Sequence, residues 1–108
     1  MKANRFWAHQ RYSAILLMLG IPLVIVFLFL NRYASFDQFT DLFRMPYVAF
    51  GALIFLWTGL YHGALGFHVI FEDYVHGQRH QILWLTCVWC VTFVLAGVVG
   101  VSIFNLYF

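Results

Sequence analysis

Three long runs without Asp, Glu, Lys or Arg divide this chain, at residues 13–30, 45–71 and 81–108. A helix needs about 20 mostly apolar residues to cross the hydrocarbon core of a bilayer. Backbone groups in lipid must be hydrogen-bonded within the structure, and three segments are too few to close a β-barrel. The runs therefore predict an all-α membrane protein with three transmembrane helices.

The composition agrees with this class, because 64% of residues are hydrophobic and 9% are charged, against about 25% charged in soluble domains. The basic residues are not clustered, so we exclude nucleic acid as a partner. We expect one membrane-anchor domain over residues 1–108. Its predicted elements are helix 1 at about 12–31, a short interfacial helix at about 35–43, helix 2 at about 46–71 and helix 3 at about 81–106.

The distribution of Lys and Arg predicts the orientation. Four lie in the N-terminal tail and second loop, and two in the first loop, which predicts a cytoplasmic N-terminus and a periplasmic C-terminus. The first apolar run exceeds the ~7–15 residues of a signal peptide, so we expect an uncleaved span. Without a transit peptide, we expect a multi-pass protein of a bacterial inner membrane. The basic residues counted for the orientation are Lys2, Arg5, Arg11 and Arg79 on the cytoplasmic side, and Arg32 and Arg44 on the periplasmic side.

The first loop contains the segment SFDQFTDLF. Phe36, Phe39 and Phe43 recur at helical spacing, and Ser35 with Gln38 fits a capping box. The pattern predicts a short helix on the outer membrane surface.

His62 lies inside the second apolar run, where a titratable ring is costly and is usually functional. Gly59, Gly63 and Gly66 share a helix face with it and leave that face without side chains. The face suits close helix packing beside a structural histidine, or a flat haem whose iron the imidazole binds. A proton or ion path is a third alternative, and the spacing leaves all three open.

A haem with two histidine ligands would need a second chain. Predicted helices 1 and 3 contain no histidine, and His68 shares helix 2 with His62. Two histidines of one helix cannot clamp opposite faces of one haem. The sequence thus favours membership of a multi-subunit helix bundle.

The segment HGALGFHVIFEDYVHG resembles the second helix of the smaller membrane-anchor subunit of succinate:quinone oxidoreductase (succinate dehydrogenase, complex II). RYSAI, at residues 11–15, resembles the opening of that family's first helix. The resemblance implies that His62 is an axial ligand of haem b, which is shared with a second anchor cytochrome b subunit. It also implies that Arg11 meets the haem propionates and that Gly63 and Gly66 face the haem.

The same resemblance implies that Tyr74 and Asp73 form part of a quinone site, where the tyrosine hydroxyl donates to a ubiquinone or menaquinone carbonyl. Succinate would be oxidised on a flavoprotein subunit, and an iron–sulfur subunit would carry the electrons to the quinone. The expected role is to anchor that respiratory enzyme, which also belongs to the tricarboxylic acid cycle, to the membrane. The alternatives are a haem-free structural subunit and the anchor of a quinol:fumarate reductase.

Each of these residues also has a plainer explanation. Tyr74 fits an interfacial tyrosine belt, Asp73 could pair with Arg11 or Arg79, and Arg11 could serve only as a topology anchor. For His68 we expect a bonded structural role.

Four further features carry no expected chemistry. We expect solvation for His76 and His80, and packing for Trp84 and Trp89. The CVWC segment at residues 87–90 lies in an apolar helix, where cysteines behave as small hydrophobes.

Overall fold

The computed structural model describes residues 3–108, and in that range the chain is helical without strands. This confirms the predicted all-α class. Lys2, one of the charges behind the orientation prediction, lies outside the described residues. The helices are α1 (Ala3–Leu30), α2 (Phe36–Asp41), α3 (Pro46–Tyr74) and α4 (Gln78–Tyr107), with a 3₁₀ turn at Leu42–Arg44 between α2 and α3.

Three of these helices are long and apolar enough to span a membrane, as predicted: Arg5–Leu30 within α1, Pro46–Tyr74 and Gln78–Tyr107. The central span, α3, packs against α1 on one side and α4 on the other. Most of the large apolar side chains are exposed. In a membrane such a surface faces lipid or other subunits. Because lipid is itself apolar, these side chains gain little from burial inside the chain.

The helices extend beyond the runs without charge. The first begins at Ala3 rather than near residue 12, α3 continues to Tyr74 and α4 begins at Gln78. The limit of an apolar run marks the edge of the lipid, and polar residues with good helix propensity continue the helix past it. The prediction that helices 1 and 3 contain no histidine is therefore wrong, because α1 contains His9 and α4 contains His80.

Local signals in the sequence explain how several helices begin. Ser35 and Gln38 form the predicted capping box at the start of α2, and Pro46 stands in the first turn of α3, where its missing N–H is not needed. Between α3 and α4 the chain turns at Gly77, whose φ of 92° is readily adopted only by glycine.

Close contacts set how the three spans are placed. The ring of Phe55 on α3 lies over Gly20 of α1, where an added Cβ would come within 2.8 Å. The indole of Trp57 lies over Gly100 of α4 and donates a 2.9 Å hydrogen bond to the carbonyl of Ala96. Both helices are thereby held against α3.

The short helix α2 rests on α1 through aromatic rings. Phe39 contacts Phe27 of α1 at 5.9 Å between ring centroids and Phe43 at 5.6 Å. Phe36 is exposed, so only two of the three phenylalanines expected on one face take part in this packing.

Candidate functional site

His62 lies on the face of α3 that packs against α1, next to Ser13. Its Nδ1 is 2.8 Å from the Ser13 hydroxyl oxygen, and the Ser13 side chain belongs to the small buried interior. The other ring nitrogen, Nε2, forms no hydrogen bond among the described residues. The ring is only partly buried. One edge of the imidazole is therefore held by this chain, and the other is free to meet a group outside it.

The glycines beside His62 divide into two kinds of surroundings. A Cβ on Gly59 would meet Leu17 of α1 at 3.8 Å, which is ordinary contact between packed helices. A Cβ on Gly63 or Gly66 would meet nothing within 4 Å in the described chain. Helix packing within this subunit thus explains Gly59. The bare surface at Gly63 and Gly66 is left for a ligand or for a helix of another subunit.

The donor set at this position suits a haem better than a bare metal ion. Among residues 3–108 no group of three or more His, Cys, Asp or Glu side chains could hold an ion. A haem brings four ligands of its own and needs only axial donors from protein, such as a neutral imidazole. His62, with a free Nε2 beside an open glycine surface, has the features of such a donor.

Asp73 and Tyr74 end α3, well away from His62. Tyr74 lies twelve residues further along the same unbroken helix, or about 18 Å along its axis. Its side chain is 77% exposed. In the part of the chain that the structure describes, Asp73 forms no ion pair with Arg11 or Arg79. The two residues adjoin each other at the helix end, and the structure does not bring them together with His62.

Arg11 lies on a different face of α1 from Ser13. Residues two apart on a helix do not share a face, and the Arg11 guanidinium lies 4.7 Å from the centroid of the Trp7 ring. A cation over an indole face is a favourable contact in its own right. The proximity of Arg11 to a haem stays a prediction that depends on how the other subunits are placed.

His68 has a dense set of partners that the sequence did not identify. Its Nδ1 accepts a 3.0 Å hydrogen bond from the indole of Trp89 on α4, and its Nε2 lies against the carboxylate of Glu72. The ring of Phe6 on α1 is 4.8 Å away between centroids. This is the bonded structural role expected for His68. Trp89 supplies a hydrogen bond beyond the packing expected for it.

His9 and Tyr61 form a second polar contact between α1 and α3, through Nδ1 and the phenol oxygen. Neither residue was singled out in the sequence, and Ser13 was noticed only as part of RYSAI. A signal was present for all three, because polar side chains in a membrane-spanning helix seek partners on neighbouring helices. Their pairing could not be predicted, since it depends on the rotation of each helix.

Cys87 and Cys90 are free thiols on the exposed surface of α4. Their expected role as small hydrophobic side chains stays a prediction. His76 and His80 are exposed beside the turn at Gly77, as expected for solvated histidines.

Comparison with known proteins places these features in a family context. The family model described as the succinate dehydrogenase/fumarate reductase transmembrane subunit matches residues 3–99. No solved structure gives a significant match.

Several bacterial proteins named succinate dehydrogenase hydrophobic membrane anchor subunit are similar to this chain. The one from Rickettsia prowazekii (strain Madrid E) is 28% identical over 100 residues, which cover 91% of this chain and 80% of the relative. The one from Coxiella burnetii (strain RSA 493 / Nine Mile phase I) is 31% identical over 101 residues, which cover 85% and 88%. The family model's match at residues 3–99 covers the first two spans completely and most of the third.

Proposed function

Because this chain belongs to the succinate dehydrogenase/fumarate reductase transmembrane subunit family, we propose that it is the smaller membrane anchor of a bacterial succinate dehydrogenase. In this role it helps to bind haem b and the quinone that accepts the electrons of succinate. It tethers the flavoprotein and iron–sulfur subunits to the inner membrane, with its N-terminus in the cytoplasm. The arrangement of His62 carries the proposal, since one ring nitrogen is held by Ser13 and the other is free.

His62 would hold the haem through Nε2, with Gly63 and Gly66 offering a surface on which a flat macrocycle can approach the backbone. Arg11 would neutralise a propionate by charge-assisted hydrogen bonding. Bound there, the haem supplies a one-electron carrier whose potential depends on its axial ligands.

The second axial ligand would come from the partner anchor subunit. His68 is held by Trp89 and Glu72, and His9 is engaged by Tyr61. These contacts engage both ring nitrogens of His68 but only Nδ1 of His9. The assignment of the second ligand to another chain therefore rests on the resemblance to the family.

The quinone would bind near Tyr74 and Asp73, at the end of α3. The exposed phenol of Tyr74 can donate to a quinone carbonyl oxygen and stabilise the negative charge that develops there during reduction. Asp73 can accept and pass on protons, because its side chain is exposed at the end of α3. The quinone itself is the substrate, either ubiquinone or menaquinone.

Optical difference spectra test the haem assignment. The complex would be purified in mild detergent through a tag on this chain, as wild type and with His62→Ala, His9→Ala or His68→Ala. We expect a reduced-minus-oxidised signal of a b-type haem in the wild type and its loss or shift in His62→Ala. The signal should persist in the two control variants.

Two outcomes would contradict the proposal. A wild-type complex without a haem signal would leave a haem-free structural subunit, in which the Ser13 contact makes His62 a structural histidine. A haem signal that is lost in His9→Ala or His68→Ala, and kept in His62→Ala, would assign the role of axial ligand to that other histidine. The ratio of succinate:quinone to quinol:fumarate rates would then distinguish a succinate dehydrogenase from a fumarate reductase.

A further inference from the structure

The Ser13 hydroxyl stands at the meeting point of three polar groups. Its oxygen lies 2.8 Å from the carbonyl oxygen of His9, 3.1 Å from that of Gln10 and 2.8 Å from Nδ1 of His62. The residue is 5% exposed, so water does not compete for these contacts. Ser13 is also the most buried polar side chain of the described chain.

The number of available hydrogens decides which of these groups donates and which accepts. A serine hydroxyl has one hydrogen to donate, and a carbonyl oxygen can only accept. In a helix a serine hydroxyl can donate to the carbonyl one turn earlier, and here Ser13 Oγ donates to the carbonyl of His9. The Ser13 oxygen is then an acceptor toward His62, so Nδ1 of His62 carries the hydrogen and Nε2 carries the lone pair.

We propose that Ser13 is a positioning residue for His62: it accepts the Nδ1 hydrogen, sets the tautomer in which Nε2 can bind iron, and fixes the rotation of the ring. This inference rests on the proposed function, because it takes a haem iron as the group that Nε2 meets. In this role the hydroxyl acts through His62.

The contact should also set how strongly the imidazole donates to iron. Metal-binding histidines commonly donate their second N–H to a nearby acceptor, which orients the ring and raises its basicity. A more basic imidazole favours ferric over ferrous iron. Loss of the Ser13 acceptor should therefore weaken the preference for the ferric state and raise the midpoint potential of the haem.

Redox titration of the purified whole complex tests the inference, with Ser13→Ala, Ser13→Thr and the distant Ser102→Ala as the variants. For Ser13→Ala we expect about a tenfold weaker preference for the ferric state, which is ~59 mV upward for a one-electron couple. The low-temperature electron paramagnetic resonance spectrum of the ferric haem should change as well, because the ring is free to rotate. Ser13→Thr keeps a hydroxyl, so the midpoint potential and the ferric spectrum should stay close to those of the wild type. Ser102→Ala should leave both unchanged.

The failure of this inference is separable from that of the proposed function. A wild-type haem that depends on His62, but has the same potential and spectrum in Ser13→Ala, would overturn the role of Ser13 alone. A wild-type complex without haem would overturn both. If Ser13→Ala fails to assemble, Ser13→Cys is the substitute, because it keeps a similar volume and its sulfur is only a weak acceptor. A midpoint potential of Ser13→Cys equal to that of Ser13→Thr would then contradict the inference.

Discussion

The indole N–H of Trp89 donates to Nδ1 of His68, so one hydrogen bond of 3.0 Å joins α4 to α3. Tryptophan can only donate, so His68 accepts at Nδ1 and its Nε2 carries the hydrogen that faces Glu72. Phe6 of α1 covers the same ring. His68 thereby ties all three membrane spans together at one point.

Removal of the Trp89 donor should loosen this tie. For Trp89→Phe we expect the free energy of unfolding to fall by about 0.6–1.7 kcal/mol, which are the average and the largest values measured for hydrogen bonds between membrane helices. Thermal dissociation of the complex in detergent would measure the change. Trp84→Phe is the matched control, because Trp84 stacks on Phe71 and forms no side-chain hydrogen bond in the described chain. Equal losses in both variants would mean that ring area, rather than the hydrogen bond, is responsible.

A side chain at Gly20 should separate α1 from α3. A Cβ there would lie 2.8 Å from the Phe55 ring, and overpacking of this kind costs about 1–3 kcal/mol. We therefore expect Gly20→Leu to lower the dissociation temperature of the complex. Gly97→Leu is the control on α4, where an added Cβ meets nothing, and it should have little effect. If Gly20→Leu behaved like this control, the contact with Phe55 would not hold the helices together.

The open surface at Gly66 should matter only in the assembled complex. Gly66→Leu adds a side chain that meets nothing within this chain, so the subunit should still insert and fold. We expect the haem content of the complex to fall at least tenfold, by exclusion of the macrocycle. Gly51→Leu is the control, since its surroundings are also open and it lies about 16 Å from His62 along α3.

The way in which Gly66→Leu fails would identify what covers the surface. Loss of haem while the partner anchor still copurifies would indicate a ligand on this face. Loss of the partner subunit would indicate a helix of that subunit. Wild-type haem content in Gly66→Leu would contradict the placement of the haem at these glycines.

The phenol of Tyr74 should act on quinone reduction and not on succinate oxidation. For Tyr74→Phe we expect the succinate:quinone rate to fall about a hundredfold, as for the loss of one donor to a developing oxyanion. The rate with an artificial electron acceptor should stay unchanged. Tyr33→Phe changes a tyrosine that is 87% exposed in the loop at the opposite end of α1, and it should affect neither rate. A Tyr74→Phe enzyme with a normal quinone rate would leave Tyr74 as an interfacial anchor.

Much of the architecture could be predicted, because its causes are local in sequence. The three spans follow from the runs without charge, the capping box follows from Ser35 and Gln38, and Pro46 marks the start of α3. The helix ends were less predictable, since the helical backbone continues past the last apolar residue. His9 was placed outside the first helix for this reason.

The polar contacts around His62 and His68 were predictable only in part. His62 stood out because an imidazole in an apolar run has few structural explanations, whereas Ser13 is an ordinary residue of a helix until its neighbour is known. No pattern within α1 indicates that Ser13 meets a residue 49 positions later. The partners of His68 were equally hidden, because they come from three helices.

The sequence by itself determined that this chain crosses the membrane three times, because charges are costly in lipid and that cost is set residue by residue. Only the tertiary structure decided which polar side chains meet, as Ser13 meets His62 and Trp89 meets His68. Such contacts depend on the rotation and depth of each helix relative to its neighbour. Those are set by how closely the helices approach, as at Gly20 beneath Phe55, and close packing is a property of two surfaces together.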